Sequence, residues 1–295
     1  MKSTKKKILV VSHDAGSAEV LSAYVKEYKN KYHFVCLVAG PATKVFKRKN
    51  LTKLLVSQAI AKKLLSSKGA VKFILTGTSW GSSIELDFIA LARECGIKSI
   101  TYLEHWVNIR ERFNYPDHIW KKNLPDQFWV GNKHTYGLVK KFIGNVPCKI
   151  VTNFYYKEMK KEYQKIKKRV LGKARNILFV SQPIKVNRGP NNHDHLFKFS
   201  EFDILESVLN YISDKELKNK VVIGYHPSEK KDKYAQLIKK YSSEVTITKE
   251  SGNRLKDIAQ ASVIVGISST ILVIASLCDS RKKVVNFIPD IKAAF

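Results

Sequence analysis

The sequence predicts an α/β protein built from two doubly wound, parallel-sheet (Rossmann-like) domains facing a cleft. Three observations carry this. Short, almost continuous apolar runs alternate with segments of helical apolar spacing, the pattern of strands buried on both faces and covered by helices. The alternation runs through twice, with a strand-free basic stretch between the two series. Hydrophobic residues make up 44% of the 295, enough to bury a core rather than leave the chain disordered.

In the first series, strands are expected at Ile8–Ser12, Phe34–Val38, Phe73–Leu75, Ser99–Leu103, Gln127–Val130 and Lys149–Thr152. Helical spacing covers Ala18–Tyr28, Leu51–Leu65, Ser82–Cys95 and Lys133–Phe142. A short helix from Pro41 to Arg48 places proline at its start, where the missing N–H costs least. In the second series, strands are expected at Ile177–Ser181, Val221–Gly224, Val245–Thr248, Val263–Val265 and Val284–Phe287. Helices are expected at Glu201–Ile212, Asp232–Tyr241, Arg254–Gln260 and Ser269–Cys278. The division is therefore a domain over 1–153, a basic, Tyr-rich helical linker over 154–175 and a second domain over 176–295. Gly172 is a plausible C-cap for the linker helix.

The chain carries 53 Lys+Arg against 25 Asp+Glu, a formal charge of +28. Such an excess favours anionic partners: phosphate-bearing substrates, acidic lipid headgroups or nucleic acid. The alternative, lysines decorating solvated helix faces, weighs at least as much. No RRM-like, KH-like or zinc-finger signature accompanies the charge, which argues against nucleic acid. Cys36, Cys95, Cys148 and Cys278 are far apart and form no CxxC, so neither a zinc site nor a disulfide framework is expected. The apolar run Ile8–Val11 is too short for a signal peptide, and no run reaches the ~18 residues of a membrane span. A cytoplasmic protein is expected, its charge suited to peripheral contact with the inner face of the cell membrane.

In doubly wound sheets ligands bind at the carboxyl ends of the strands, so the residues just after each strand are the ones to read for chemistry. The first strand runs into Ser12-His13-Asp14-Ala15-Gly16. Gly16 permits a sharp turn into helix amides, an anion cradle, and His13 with Asp14 can form an acid–base pair. The alternative is that Asp14 or Ser17 only caps the helix, and spacing alone leans towards the cap. The third strand ends in "TGTSWGSSIE", where Trp80 can stack on a sugar or base and Ser82 or Ser83 can cap. The fourth ends in "TYLEHWVNIRERF": Glu104, His105 and Trp106 leave the sheet together, with Arg110 and Arg112 following. Glu104 beside an imidazole can act as a general base or form a structural ion pair.

In the second series, Ser181 and Gln182 follow the first strand, with Lys185 and Arg188 beyond. His193, Asp194 and His195 lack a fourth metal ligand at sensible spacing, and a polar loop is the better reading. "VVIGYHPSEKK" sets His226 against Pro227, which pushes the histidine into an extended conformation. An imidazole held there can donate to a phosphate. In "VIVGISSTILVIAS", Gly266 ends a strand and Ser268, Ser269 and Thr270 open a helix. Hydroxyls and unsatisfied helix amides make a phosphate seat, although N-capping needs only one of the three.

A strand ending in His-Pro, followed some forty residues later by a Gly-x-Ser-Ser/Thr helix start, resembles the nucleotide-sugar site of two-domain GT-B glycosyltransferases. The pattern is similar to that of bacterial sialyltransferases and, less closely, CDP-glycerol transferases. The resemblance implies that His226, Pro227, Gly266, Ser268, Ser269, Thr270, Ser181 and Gln182 hold the donor, a CMP- or other NDP-linked sugar. His226 would also assist departure of the leaving group. His13, Gly16, Trp80, His105 and Trp106 would lie on the acceptor side, in the first domain, against a glycan or lipid-linked acceptor. The sialyltransferases take their base from an Asp/Glu-Asp/Glu-Gly motif. "HDAGS" matches it incompletely, since an alanine parts Asp14 from Gly16, and Glu104 is the rival base. No cofactor is implied, and no DxD-type metal motif stands at a strand end. GT-B chains usually finish with a helix crossing back to the first domain. Here the chain stops at "IPDIKAAF", implying a truncated or a minimal version.

The expected activity is therefore transfer of a sugar, sialic-acid-like if the donor is CMP-linked, to a glycan hydroxyl in surface polysaccharide or lipopolysaccharide synthesis. Two alternatives stand beside it. One is a nucleotide-sugar 2-epimerase of the same architecture, which needs more acidic residues in its cleft than the sequence places there. The other is a non-catalytic nucleotide- or nucleic-acid-binding protein.

Overall fold

A computed structural model describes residues 7–170, 175–183, 200–217 and 219–286. The chain divides into two compact units, Met1–Lys157 and Glu158–Phe295. Each is a parallel α/β sheet with helices.

The first unit contains β1 (Lys7–Ser12), α1 (Ala15–Tyr28), β2 (His33–Val38), α2 (Gly40–Arg48), α3 (Gln58–Ser66), β3 (Val71–Thr76), α4 (Ile84–Glu94), β4 (Ser99–Leu103), β5 (Gln127–Val130), α5 (Lys133–Phe142) and β6 (Cys148–Ile150). Its strand order is β2-β1-β3-β4-β5-β6. Strand pleating sends alternate residues to opposite faces. Ile8 and Val10 join Leu21, Val25 and Phe46 on one side; Leu9 and Val11 join Phe88, Ile89 and Ala92 on the other. Each such aliphatic side chain contributes about 2 kcal/mol of transfer free energy on burial. That is why these strands read as unbroken apolar runs.

Helix α6 (Phe154–Lys167) runs across the division between the units. The second unit holds β7 (Asn176–Val180), α7 (Glu201–Asp214), β8 (Val221–Gly224), α8 (Ala235–Tyr241), β9 (Ile247–Lys249), α9 (Arg254–Gln260), β10 (Ala261–Gly266), α10 (Thr270–Cys278) and β11 (Lys283–Asn286). The order is β11-β10-β7-β8-β9, again all parallel. Phe179 and Ile223 pack there against Ile204, Leu205 and Leu209 of α7.

Both sheets reverse their winding direction once. In the first unit the reversal falls between β1 and β3, in the second between β7 and β10. Loops leaving the carboxyl ends on either side of a reversal turn away from each other and open a crevice. His13 and Asp14 leave β1, and Thr78–Trp80 follow β3; Ser181 follows β7, and Ser268 follows β10.

Besides shifted ends, as where α8 starts at Ala235 and β9 at Ile247, one expected helix is broken. Leu51–Leu65 is not a continuous helix. A 3₁₀ turn at Thr52–Leu54 gives way to extended backbone, with Leu55 bridged to Cys36 of β2, before Ser57 caps α3 by accepting from the Ile60 amide. Leu54, Leu55 and Val56 pack on the sheet, a tertiary pull that overrides helical spacing. Gly172, Lys185, Arg188, His193, Asp194 and His195 lie outside the described residues. Among the described residues, no helix is long and apolar enough to cross a membrane.

Candidate functional site

In the first unit, carboxylates and an imidazole gather at the crevice between β1 and β3. Asp14 occupies the N-cap position of α1, yet its side chain makes no capping bond. One of its oxygens takes His13 Nδ1 at 2.8 Å, and the other accepts the Trp80 amide at 2.9 Å. The carboxylate thus bridges the exits of β1 and β3, against the capping alternative. A carboxylate oxygen accepts, so His13 Nδ1 is the donor in this pair. Nε2 lies against Gly40, where a Cβ would sit 2.3 Å away and where φ is +50°. Gly40, not Gly16, makes the left-handed turn beside His13; Gly16 sits in the first turn of α1, with Glu104 Cγ 3.8 Å from where its Cβ would be.

Glu85 of α4, read from sequence only as the acidic neighbour of a Ser82 or Ser83 cap, accepts the His13 amide at 2.8 Å. It is 2% exposed, with Oε2 unpartnered, and burial pushes its carboxyl above the usual range. Glu104 pairs with Arg112 Nη1 at 2.9 Å and accepts from Thr78 Oγ1 at 3.0 Å. Its carboxyl is also raised, because burial outweighs the neighbouring guanidinium. Arg112 Nη1 also donates to Thr78 Oγ1 at 2.6 Å and its Nε to the Val107 carbonyl at 3.4 Å, and its guanidinium lies 5.2 Å from the ring of Trp80. Trp80 is 55% exposed, so it presents an aromatic surface. His105 stacks on Trp106 with centroids 4.4 Å apart, and Trp106 is buried with its Nε1 unpartnered. A small cavity lined by Thr78, Ser79, Ser82, Glu85 and Arg112 lies below this cluster.

In the second unit, the carboxyl edge of β8 carries Tyr225, His226 and Pro227. Ser228 donates its amide to His226 Nδ1 at 3.3 Å, with its hydroxyl 2.7 Å from the same atom. Nδ1 is therefore an acceptor, and the neutral ring keeps its proton on Nε2, a donor for an anion. Burial, together with Lys233 and Arg254 and against Glu229, lowers the pKa of His226 and favours this neutral form. Arg254 opens α9. It donates to the Tyr225 carbonyl at 3.1 Å and pairs with Glu250, while Nη1 is buried without a partner. A Cβ on Gly224 would lie 1.7 Å from that nitrogen, so only glycine lets the guanidinium cross the strand end.

At β10, Gly266 comes so near β7 that a Cβ would meet the Val180 carbonyl at 2.9 Å. Ser269 caps α10 through the Ile271 amide, leaving Thr270 as its first residue. Ser268 is different: its hydroxyl is buried without a partner, and its φ is +42°. A left-handed non-glycine residue costs about 1 kcal/mol. Ser268→Gly is accordingly expected to gain about that much stability, as read by calorimetric unfolding. Ser181 is 1% exposed, and its hydroxyl is taken by Glu229 and Tyr234. It supports the edge from beneath; Gln182 beside it is half-buried.

Arg254, Glu229, Glu85 and Arg112 were not legible as site residues. Only Arg254 carried a signal: a cation in the first turn of a helix opposes the macrodipole and needs another reason to be there.

These features define an α/β fold of two parallel, Rossmann-like sheets of the GT-B type. Its solved counterparts include S. aureus MnaA in a co-structure with UDP, at 11% identity and TM-score 0.61, covering 98% of this chain and 81% of that one. A UDP-GlcNAc 2-epimerase from Neisseria meningitidis bound to UDP-GlcNAc matches at 12% identity and TM-score 0.57, over 92% and 80%. A UDP-glucosyltransferase from Polygonum tinctorium matches at 10% identity and TM-score 0.52, over 97% and 80%. No family model matches the sequence, and neither does any curated protein.

Proposed function

We propose that the chain is a nucleotide-sugar enzyme that transfers a glycosyl group to a hydroxyl acceptor. The observation that carries this is the buried, unpartnered Nη1 of Arg254 at the strand edge that presents His226. A guanidinium donor left without an acceptor in a buried place costs about 1–3 kcal/mol, and an anionic ligand removes that cost. The donor phosphate would take Arg254, His226 Nε2 and the Ser268 hydroxyl. As the C1–oxygen bond to phosphate breaks, charge builds on the departing oxygen, and these groups stabilise it. The acceptor hydroxyl forms the new bond to C1 and gives up its proton to a general base; within the first unit, His13 backed by Asp14 has the chemistry for that role. Glu104, already engaged by Arg112 and Thr78, sustains the site. The motif resemblance favours a CMP-linked sugar as donor, the structural counterparts a UDP-linked one; the acceptor is a glycan or lipid-linked hydroxyl, and no step needs a metal or cofactor.

A second reading, 2-epimerisation of a UDP-sugar, gains from Glu85, which adds a third carboxylate beside Asp14 and Glu104. Calorimetric titration with UDP, CMP, CDP and a duplex oligonucleotide tests the common ground. One pyrimidine nucleotide should bind selectively, whereas binding of the oligonucleotide alone, lost at moderate salt, would overturn the proposal. UDP-GlcNAc and CMP-sialic acid, each incubated without acceptor, then separate the readings. A 2-epimer formed without nucleotide release supports epimerisation; nucleotide released only with a glycan acceptor supports transfer.

A further inference from the structure

We infer that Glu229 is a positioning residue for the donor site, holding the His-Pro turn in place from below; this rests on His226 contacting the donor. Its side chain is only 2% exposed. Oε2 accepts the His226 amide at 2.8 Å, and Oε1 accepts the Ser181 hydroxyl at 2.8 Å. The Glu229 amide, in turn, donates to the His226 carbonyl at 2.9 Å. Glu229 therefore closes on both peptide groups of His226, and the same carboxylate ties that turn to β7, the neighbouring strand.

A buried carboxylate is expensive unless its lone pairs are filled, and here they are. Lys233, one turn on, pairs with Oε1 of Glu229 and lies 2.7 Å from Oε1 of Glu201. Glu201 is fully buried in the first turn of α7, where the helix dipole favours negative charge. The rings of Phe202 and Tyr234 lie 5.4 and 5.2 Å from the Lys233 ammonium. Tyr234 donates to Ser181, whose own proton is given to Glu229. The chain Glu201–Lys233–Glu229 has a fixed outlet at the His226 backbone. Proline restricts the backbone of the residue before it, Ser228 fixes the tautomer, and Glu229 fixes the turn. A glutamine in its place removes the negative charge and, with its oxygen kept on the His226 amide, turns an NH2 donor towards the Ser181 hydroxyl and the Lys233 ammonium, both of which had donated to the carboxylate.

The test is a mutant cycle on the full chain. Glu229→Gln, His226→Ala and the double variant are titrated with UDP and CMP, and hydrogen exchange of the His226 amide is followed in the first. Glu229→Gln should weaken binding about tenfold and speed exchange at least as much, and the double variant should bind like His226→Ala. Multiplying losses in the double variant would overturn the proposal, as would unchanged affinity or exchange in Glu229→Gln. Should Glu229→Gln fail to fold, Ser181→Ala keeps the carboxylate and removes one of its anchors. A smaller loss, absent in the His226→Ala background, supports positioning, and wild-type affinity refutes it. If the wild type binds neither nucleotide, the functional reading falls, and exchange at His226 still decides the role of Glu229.

Discussion

On the proposed function, an Arg254→Ala variant is expected to fold and to bind UDP or CMP about a hundredfold more weakly. A charge-assisted bond to phosphate contributes about 1.5–3 kcal/mol, and 2.7 kcal/mol is about a hundredfold in affinity. The fold should tolerate the change, because the pair with Glu250 is only partly buried, with side chains 23% and 24% exposed. Such pairs contribute about 1 kcal/mol or less. Gly224→Ala supplies an independent route to the same result. Its methyl group would occupy the place of Nη1, and the flexible guanidinium would swing out. Titration of both variants should show matching losses and near-native unfolding. Wild-type affinity in Arg254→Ala would remove the arginine from the site.

The second large effect is on stability. Arg112→Met should cost the first unit about 3 kcal/mol at neutral pH, because it strands the buried carboxylate of Glu104 without its cation. The pH dependence follows from the direction of the shift. Burial already places the folded-state pKa of Glu104 above its unfolded value, and loss of the guanidinium raises it further. The folded state therefore holds the proton more tightly, and the penalty appears only as pH rises above the unfolded carboxyl pKa. Below that value Glu104 is neutral in both states and the variant should approach the wild type. Denaturant unfolding at pH 7.5 and in mild acid checks this, and Glu104→Gln in the Arg112→Met background should recover much of the neutral-pH loss. An equal deficit at both pH values would assign the effect to lost packing instead.

Strands were legible because parallel strands buried on both faces leave an apolar run, and the rule that ligands meet strand ends pointed to His13, Asp14, Glu104, His226 and Ser268. What the sequence hid were contacts between distant elements. His13 and Glu85 are 72 positions apart, and Ser181 and Glu229 are 48 apart. Only the fold brings each pair within bonding distance. Residue type can also mislead at a single position. Asp14 stands where a helix cap belongs and spends its oxygens elsewhere, while Ser268 and Ser269 look alike and one caps while the other is strained. The break near Leu55 was invisible because residues that pack on a sheet and residues that line a helix are both apolar.

Asp14 has a consequence for laboratory evolution. By serving His13 and Trp80, it forgoes a helix cap worth about 1 kcal/mol. A library screened for heat tolerance alone will reward substitutions that turn position 14 back into a simple cap. The survivors would be hardier proteins whose imidazole has lost its tether, so a screen on this scaffold has to score the proposed activity alongside melting.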